Sequence, residues 1–530
     1  MEQISTRNSP ILKMGGAWFW VLLLAAALAG ILLLRYVTPF GLGLFNDSDA
    51  YIGGAQNILA GHGYTRLAGD GTYKPVTNNP PMYPFVLLPV LLAGLQPLRA
   101  AWWVAAALFA VNIALIGFIV RRITGSAVLG VVAAVLFPIS QTFLYVHTLA
   151  LSEPVFLANY LLSLFLLAAY FEKSNKVWII LAGVTASFTY LARYVGVSLY
   201  GTAVIALLIF SPTWKKRLNG ILLFLAGGLP AVAAWTVRNF LASGNAANRT
   251  ILYHPIPAQK ILDGLHNFWS WLLPERFGLV DKLLPFWNGM FFVLLAGLIG
   301  GIVWGAVLLR RKPPTSGSSS FRFVLIFGIQ AVVFLATLVF TLTFLDASPI
   351  FEPRIIMPFL VCVFFLIFAL LSWLWQQKVW LTKAATVFLI LALAASFVED
   401  TKGFVHDLHL AGQGYAASSW VNSDTIKAVA ALPNVLIYSN KIMAISLLTN
   451  RSAYILPSPT NPATVTYRTD YMTEVNKVRQ RVLAQKAVMV IFDYRNLDDP
   501  LAGQWMHDLT DGIPMIKEYG DGAIFGILPK

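Results

Sequence analysis

Residues 17–51 read AWFWVLLLAAALAGILLLRYVTPFGLGLFNDSDAY, a pattern that sets the architecture of the whole chain. It begins with an apolar run over residues 17–35, close to the ~20 residues that a helix needs to cross the bilayer core. Two carboxylates, Asp47 and Asp49, follow this run. Because ionised side chains are costly near lipid, carboxylates placed there indicate a functional site at the membrane edge.

The composition agrees with a membrane protein. The 530 residues are 58% hydrophobic and 12% charged, with a mean hydropathy of +0.69, whereas soluble domains carry about 25% charged residues. The net charge of +14 comes from short basic clusters between apolar runs, which is typical of topology determinants and not of nucleic-acid binding. The single cysteine, Cys362, lies in an apolar run, which excludes a disulfide framework and a cysteine-based metal site.

The apolar pattern recurs along the chain. The segments that show it cover residues 17–35, 101–120, 127–146, 152–171, 177–192, 194–210, 218–237, 286–309, 322–344, 355–375 and 379–397. If each crosses once, the chain has about eleven transmembrane helices. A further apolar stretch, residues 83–96, is short and interrupted by proline, which favours a helix lying in the membrane interface.

The basic residues give the orientation of these helices. With the N-terminus inside, every short cytosolic segment is basic, as the positive-inside rule requires. The clusters are Arg7 with Lys13, Arg121–Arg122, Lys173 with Lys176, Lys215–Arg217, Arg310–Lys312 and Lys378. A crossing by residues 83–96 would move every later loop to the other side and destroy this pattern. The sequence therefore predicts a polytopic α-helical membrane protein with its N-terminus in and its C-terminus out.

Two domains are predicted. Residues 1–397 form a transmembrane domain with long external loops at 36–100 and 238–285, and residues 398–530 form an extracytoplasmic α/β domain. The second prediction rests on strand-like runs at Val435–Tyr438, Ala453–Leu456, Ala487–Phe492 and Ala523–Leu528, with helical periodicity at Tyr415–Leu432 and Tyr471–Leu483.

Several catalytic signatures are absent from the sequence. It has no G-x-x-x-x-G-K-[ST] phosphate loop, no H-E-x-x-H and no zinc-like spacing of Cys and His, which argues against ATP-driven transport and metalloprotease chemistry. What remains is a set of polar residues at the predicted outer ends of the spans.

Three arginines in this set, Arg193, Arg238 and Arg354, are unexpected because short outward-facing loops are usually poor in arginine. A guanidinium is well matched to phosphate, so together they indicate a bound anion. Taken singly, each has another interpretation: it extends to the interface or pairs with a nearby carboxylate.

The other members of the set also have structural interpretations. Glu153, before Pro154, fits the first turn of a helix, and Asp49 fits the cap of a helix beginning near Ala50. Asp47 is either a functional carboxylate or a solvated loop residue, and His147 fits an interfacial position.

Short motifs connect these residues. They are DSDAY at 47–51, AQNILAGHGY at 55–64, NPPMYP at 79–84, SEP at 152–154, LARY at 191–194, WTVRN at 235–239 and PR at 353–354. Together they resemble the GT-C superfamily of integral membrane glycosyltransferases, with the closest likeness to bacterial relatives of protein O-mannosyltransferases and of lipid A aminoarabinose transferases, over about residues 15–400. Asn79 stands where the aminoarabinose transferases have a lysine, which argues against an identical donor sugar.

The resemblance implies roles for particular residues. Asp47 corresponds to the catalytic base of the first external loop, and Glu153 to the acidic residue of the second loop that supports the site. Asp49 completes a D-x-D pattern that holds a divalent metal in some relatives and not in others, so a divalent metal cofactor stays open beside the helix cap. Tyr51 and His147 are candidate substrate contacts.

The implied function is transfer of a sugar, hexosyl or pentosyl, from a polyprenyl-phosphate donor to a glycan, lipid or protein acceptor at the extracytoplasmic face of the cell membrane. Arginines would stabilise the leaving phosphate, a carboxylate would act as general base, and burial next to lipid would raise the pKa of that base. One rival is a transporter or flippase of lipid-linked saccharides, which would require charged residues at the bilayer midplane. Another is a scaffold or receptor whose external tail binds a ligand.

Overall fold

The computed structural model describes residues 16–68, 72–173, 175–246, 251–274, 278–311, 318–345, 351–460, 467–494 and 500–529. Arg7, Lys13 and Lys312, which support the predicted orientation, lie outside the described residues.

The described chain is mainly helical. Its helices are α1 (Ala17–Val37), α2 (Asn46–Leu59), α3 (Met82–Leu92), α4 (Pro97–Thr124), α5 (Ala127–Leu136), α6 (Gln141–His147), α7 (Glu153–Lys173), α8 (Lys176–Ala192), a 3₁₀ helix (Tyr194–Val197), α9 (Ser198–Phe210), α10 (Trp214–Ser243), α11 (Ala258–Leu272), α12 (Leu279–Lys282), α13 (Leu284–Arg311), α14 (Ser318–Phe344), α15 (Pro353–Gln376), α16 (Trp380–Ala411), α17 (Ser418–Val421), α18 (Asp424–Ala431), α19 (Ile442–Thr449), α20 (Tyr471–Leu483) and α21 (Pro500–Thr510). The strands are β1 (Thr65–Leu67), β2 (Tyr73–Pro75), β3 (Leu436–Ser439), β4 (Tyr454–Ile455), β5 (Ala487–Phe492), β6 (Met515–Tyr519) and β7 (Gly522–Gly526).

All eleven predicted apolar segments are helical. Within the described residues, eight helices are long and apolar enough to span a membrane, and α5 with α6, bent by 66°, makes up to nine. The other two segments are shorter apolar helices, Lys176–Ala192 and Tyr194–Phe210. The eleven crossings and their orientation therefore stay a prediction, as does the interfacial position of α3.

The helix pair α8 and α10 shows why small residues are placed between spans. A Cβ atom on Gly183 would lie 2.1 Å from the carbonyl oxygen of Phe224, and one on Gly227 would lie 2.2 Å from that of Ile180. The two backbones approach closely, as small residues permit in membrane helix pairs. This contact packs the middle of α8 against α10.

The described chain forms two compact units. The first contains the described residues within 16–37, 103–345 and 351–407, and the second contains those within 38–102 and 408–529. Helix α16 passes through the predicted boundary after residue 397 and continues without a break to Ala411, and the division into two domains stays a prediction. The first external loop belongs to the same unit as the C-terminal region.

The second unit contains a five-stranded sheet in the order β4-β3-β5-β7-β6. Strand β3 runs parallel to β4 and β5, whereas β7 runs antiparallel to β5 and β6. Every residue of β5 is buried, and helices pack on the sheet. Helices α19 and α21 and the edge strand β6 were not predicted from the sequence, and the separate C-terminal α/β domain stays a prediction. Strand β6 has a register irregularity between Met515 and Lys517, which weakens its alternating pattern.

Candidate active site

Glu153 is the centre of a charged cluster in the first unit. It is the first residue of α7, and its side chain is fully buried. Its Oε1 atom accepts a hydrogen bond from Arg193 Nη1 and lies 3.8 Å from Arg354 Nη1. Oε2 is buried and has no hydrogen-bond partner among the described residues. A buried carboxylate is costly unless it is paired, and two arginines supply that pairing.

The two arginines come from different parts of the unit. Arg193 lies in extended conformation between α8 and the 3₁₀ helix, and its backbone N–H donates to Thr189. Arg354 is the second residue of α15, and its Nε donates to Glu352 Oε2 at 2.8 Å. Their side chains are 25% and 26% exposed. Arg193 is thus hydrogen-bonded to Glu153, whereas Arg354 is hydrogen-bonded to Glu352 and lies beside Glu153, and part of each guanidinium remains accessible.

Arg238 lies beside a neighbouring aromatic group. Its guanidinium lies 5.0 Å from the ring centre of Trp235 and donates to Asn239 Oδ1 at 3.0 Å. Trp235 in turn donates from its indole nitrogen to the Tyr194 hydroxyl at 3.1 Å, next in sequence to Arg193. Trp235 therefore connects Arg238 to the residue that follows Arg193 in sequence.

His147 is not interfacial, so that prediction is wrong. Its side chain is fully buried. Asn112 Nδ2 bonds to His147 Nε2 at 2.9 Å and to the Pro154 carbonyl at 3.0 Å, and His147 Nδ1 donates to the Phe143 carbonyl. This network fixes the turn that leads into Glu153. His147 acts here as a structural residue and not as an accessible substrate contact.

A cavity of about 280 Å³ in the same unit was not predicted from the sequence. Tyr145 and Glu352 line it and also lie within electrostatic range of Arg354. Its remaining lining mixes aromatic and polar side chains, including Trp271, Asn267 and Asp400. These residues are far apart in sequence and form no motif, so no local signal marks them.

In the second unit, Asp47 lies in the first turn of α2 and is exposed. A carboxylate at this helix end is favoured by the helix dipole. The backbone oxygen of Leu44 accepts from Tyr415 N at 2.8 Å, and the Tyr415 hydroxyl donates to Asn46 Oδ1 at 2.8 Å. The C-terminal region therefore holds the start of the helix that carries Asp47.

Asp49 is not a helix cap, because α2 begins at Asn46 and Asp49 lies within its first turn. Ser48 makes the local bond instead, its hydroxyl accepting from the Phe45 N–H at 2.9 Å. Asp49 is 8% exposed, accepts from the Ser446 hydroxyl at 2.7 Å, and lies 3.6 Å from Arg66 Nε. Burial raises the pKa of its carboxyl, an effect that Ser446 and Arg66 oppose.

The D-x-D pattern does not fit a two-aspartate metal site. Asp47 and Asp49 are two residues apart on a helix, and such positions do not face each other. Among the residues that the structure describes, no three His, Cys, Asp or Glu side chains group as a metal site would require. Tyr51, the other candidate contact in this helix, is 4% exposed and packs edge-to-face on Tyr83.

Comparison with solved structures identifies the fold. ArnT from Cupriavidus metallidurans bound to undecaprenyl phosphate matches with a TM-score of 0.55 and 15% identity, over 96% of this chain and 98% of that one. The chain has the GT-C glycosyltransferase fold. Archaeal oligosaccharyltransferase AglB from Archaeoglobus fulgidus, solved with an inhibitory peptide and a dolichol-phosphate, matches with a TM-score of 0.56 and 12% identity, over 96% of this chain and 74% of that one.

Two further comparisons agree with the GT-C fold. Arabinofuranosyltransferase AftD from Mycobacteria, in its R1389S mutant, matches with a TM-score of 0.52 and 13% identity, over 97% of this chain and 42% of that one. A family model described as dolichyl-phosphate-mannose-protein mannosyltransferase matches residues 78–237, which include Glu153 and Arg193. No curated protein matches the chain by sequence. The predicted resemblance to GT-C membrane glycosyltransferases is confirmed.

Proposed function

We propose that this protein is a multi-pass glycosyltransferase that moves a sugar from a polyprenyl-phosphate donor to an acceptor hydroxyl at the extracytoplasmic face of the cell membrane. The observation that carries this proposal is the buried Glu153 holding Arg193 and Arg354 on one oxygen. ArnT is a structural neighbour solved with undecaprenyl phosphate, and AglB is one solved with dolichol-phosphate.

The cluster suits a phosphate monoester. Arg193 makes no hydrogen bond other than those to Glu153 and from its own backbone among the described residues, so its remaining guanidinium nitrogens can donate to an anion. Glu153 fixes the guanidinium groups before the ligand arrives, which reduces the cost of ordering them. Arg354 and Arg238 add further positive charge, and guanidinium groups bind phosphate oxygens in a defined fork geometry.

Asp47 is the proposed general base. It removes the proton from the acceptor hydroxyl as that oxygen attacks the anomeric carbon, and the bond from this carbon to the phosphate oxygen breaks. The phosphate leaves with the electron pair, and the arginines stabilise its charge. Asp47 then releases the proton to water, which its exposure permits.

Binding of the lipid phosphate tests the donor half of this proposal. Undecaprenyl phosphate is titrated into the purified protein in detergent, and Arg193→Gln should weaken binding by about tenfold or more, since a charge-assisted hydrogen bond is lost. Arg193→Lys should restore part of the affinity. Arg217→Gln is the matched control, because Arg217 bonds to the Ser211 carbonyl and belongs to a predicted cytosolic cluster.

Equal affinity of Arg193→Gln and the wild-type protein for undecaprenyl phosphate would show that the arginine cluster does not bind the donor.

Mass analysis of surface glycans and lipids from cells with and without the gene identifies the sugar and the acceptor. An unchanged profile would contradict the transferase assignment. A reporter fused after Lys530 tests the side of the membrane, and activity of that reporter in the cytosol would overturn the outer-face placement.

A further inference from the structure

We infer that the second unit contains a saccharide-binding site beside Asp49, which would hold a neutral sugar ring of the acceptor glycan. The site is a cavity of about 350 Å³ lined by α2, the hairpin of β1 and β2, and α19. Its polar lining includes Asp49, Gln56, Arg66, Tyr73, Ser446 and Asn450. The role assigned to this ligand rests on the proposed glycosyl transfer, whereas its binding does not.

The gap between Asp49 and Arg66 defines the chemistry of the ligand. Arg66 Nε is buried and has no hydrogen-bond partner among the described residues, and it lies 3.6 Å from Asp49 Oδ2, too far for a direct hydrogen bond. Buried polar groups are nearly always hydrogen-bonded. A hydroxyl oxygen lying to one side of this pair, within hydrogen-bond distance of both atoms, can accept from Arg66 and donate to Asp49, which satisfies both groups.

The charges at this position select against ionic ligands. Asp49 repels an anion and Arg66 repels a cation, while the third charged lining residue, Arg451, already donates from its guanidinium to the carbonyls of Val429, Leu432 and Pro433. A neutral group that both donates and accepts therefore fits best beside Asp49 and Arg66. The Ser446 hydroxyl donates to the other carboxylate oxygen, Asp49 Oδ1, at 2.7 Å. Asp49 Oδ2 is therefore the oxygen that can accept from the ligand.

Two side-chain amides in the cavity can bind further hydroxyl groups of the ligand. Gln56 and Asn450 both line the cavity, and their side chains make no hydrogen bond among the described residues. Each amide offers donors and an acceptor, as neighbouring hydroxyls on a sugar ring require. The cavity volume, near the lower end of the roughly 300–1,000 Å³ typical of small-molecule sites, suits one or two rings and excludes a long glycan from lying wholly inside.

An aromatic wall completes the site. Tyr73 is 42% exposed and stacks on His62, with ring centres 3.8 Å apart and an angle of 14° between planes. The stacked pair supports the tyrosine from one side, and its apolar face is available for the C–H face of a sugar ring. Carboxylate, guanidinium, amides and aromatic ring thus meet in one cavity.

The experiment applies the labelled full-length protein in detergent, without donor, to an array of neutral and carboxylated mono- to tetrasaccharides. The wild-type protein should bind neutral saccharides, and Arg66→Gln and Tyr73→Ala should each lower affinity for the best of them by about tenfold. Tyr73→Phe should retain binding. Lys74→Gln is the matched control, since Lys74 pairs with Arg66 across the hairpin and does not line the cavity.

Absence of neutral saccharide binding, or equal loss in Lys74→Gln and Arg66→Gln, would overturn the inference. Gln56→Ala provides a second test if Arg66→Gln does not fold, because the Gln56 side chain is exposed and makes no hydrogen bond among the described residues. Unchanged affinity in that variant, in Tyr73→Ala and in any folded Arg66→Gln contradicts the site. Saccharide binding by a protein that transfers no sugar supports this site while removing the transferase assignment, so the two failures are distinguishable.

Discussion

Two buried carboxylates face arginine in this protein, Glu153 in the first unit and Asp49 in the second, but they leave different groups unsatisfied. Glu153 Oε1 is hydrogen-bonded to Arg193 and is shared with Arg354. Asp49 is separated from Arg66 by 3.6 Å, and Arg66 Nε has no partner among the described residues. We propose that the first arrangement orients guanidinium groups toward an anion, whereas the second offers a donor and an acceptor to one ligand hydroxyl.

The largest expected effect is the loss of glycosyl transfer in Asp47→Asn, a variant that tests proton removal separately from anion binding. Asp47→Asn keeps the size of the side chain but cannot accept a proton, so glycosyl transfer should fall by about 10²–10⁴-fold. Affinity for undecaprenyl phosphate should be unchanged, because the arginines bind it. Turnover in membranes and lipid-phosphate titration measure the two quantities.

Near-normal transfer by Asp47→Asn would show that the base lies elsewhere, and Glu153 would be tested next. Asp49→Asn is the comparison variant, because it changes a carboxylate in the same helix turn that bonds to Ser446. If Asp49→Asn lowers glycosyl transfer as much as Asp47→Asn does, the base role cannot be assigned to Asp47 alone.

The stability of the two units should respond unequally. Glu153→Ala removes the carboxylate to which Arg193 is hydrogen-bonded and leaves Arg354 with Glu352, and it should lower the free energy of unfolding by about 3–5 kcal/mol. Asp49→Ala removes one hydrogen bond and a longer ion pair, and about 1–3 kcal/mol is expected. Denaturant unfolding in detergent measures the free energy of unfolding of both variants. Equal decreases in the two variants would contradict the expected difference between the sites.

The three arginines should rank by their attachment to Glu153. Arg193, hydrogen-bonded to it, should matter most for undecaprenyl phosphate, with about a tenfold loss in Arg193→Gln. Arg354, at 3.8 Å from Glu153, should follow, and Arg238, held on Trp235 and Asn239, should contribute least. The reverse order in lipid-phosphate titrations would place the anion nearer to Arg238.

The smallest effect concerns pH. Burial raises the pKa of the Asp49 carboxyl, so the folded protein retains this proton at pH values where the unfolded chain has lost it. The contribution to stability is therefore full below the unfolded pKa, about 4, and is lost as pH rises through the folded pKa. Thermal unfolding midpoints across this range should decline less in Asp49→Asn than in wild type; parallel profiles would contradict this assignment.

The sequence predicted the elements well but not their boundaries. Each apolar segment forms a helix because length and hydropathy are local properties, and the motif at 47–51 was found for the same reason. The boundary predicted after residue 397 falls inside α16, because apolarity declines within this helix while its helical hydrogen bonds continue to Ala411. A change in composition is thus not a change in backbone structure.

The sequence by itself determined the positions of the apolar helices, the GT-C resemblance and the charged residues most worth testing. Only the tertiary structure decided what each residue touches. It buried His147, removed Asp49 from the helix cap, and joined Asp49 to Ser446 across 397 residues of chain. Tyr145 and Arg66 became candidates only through their neighbours. The physical reason is that burial and pairing depend on contacts between distant segments, which local periodicity and short motifs do not encode.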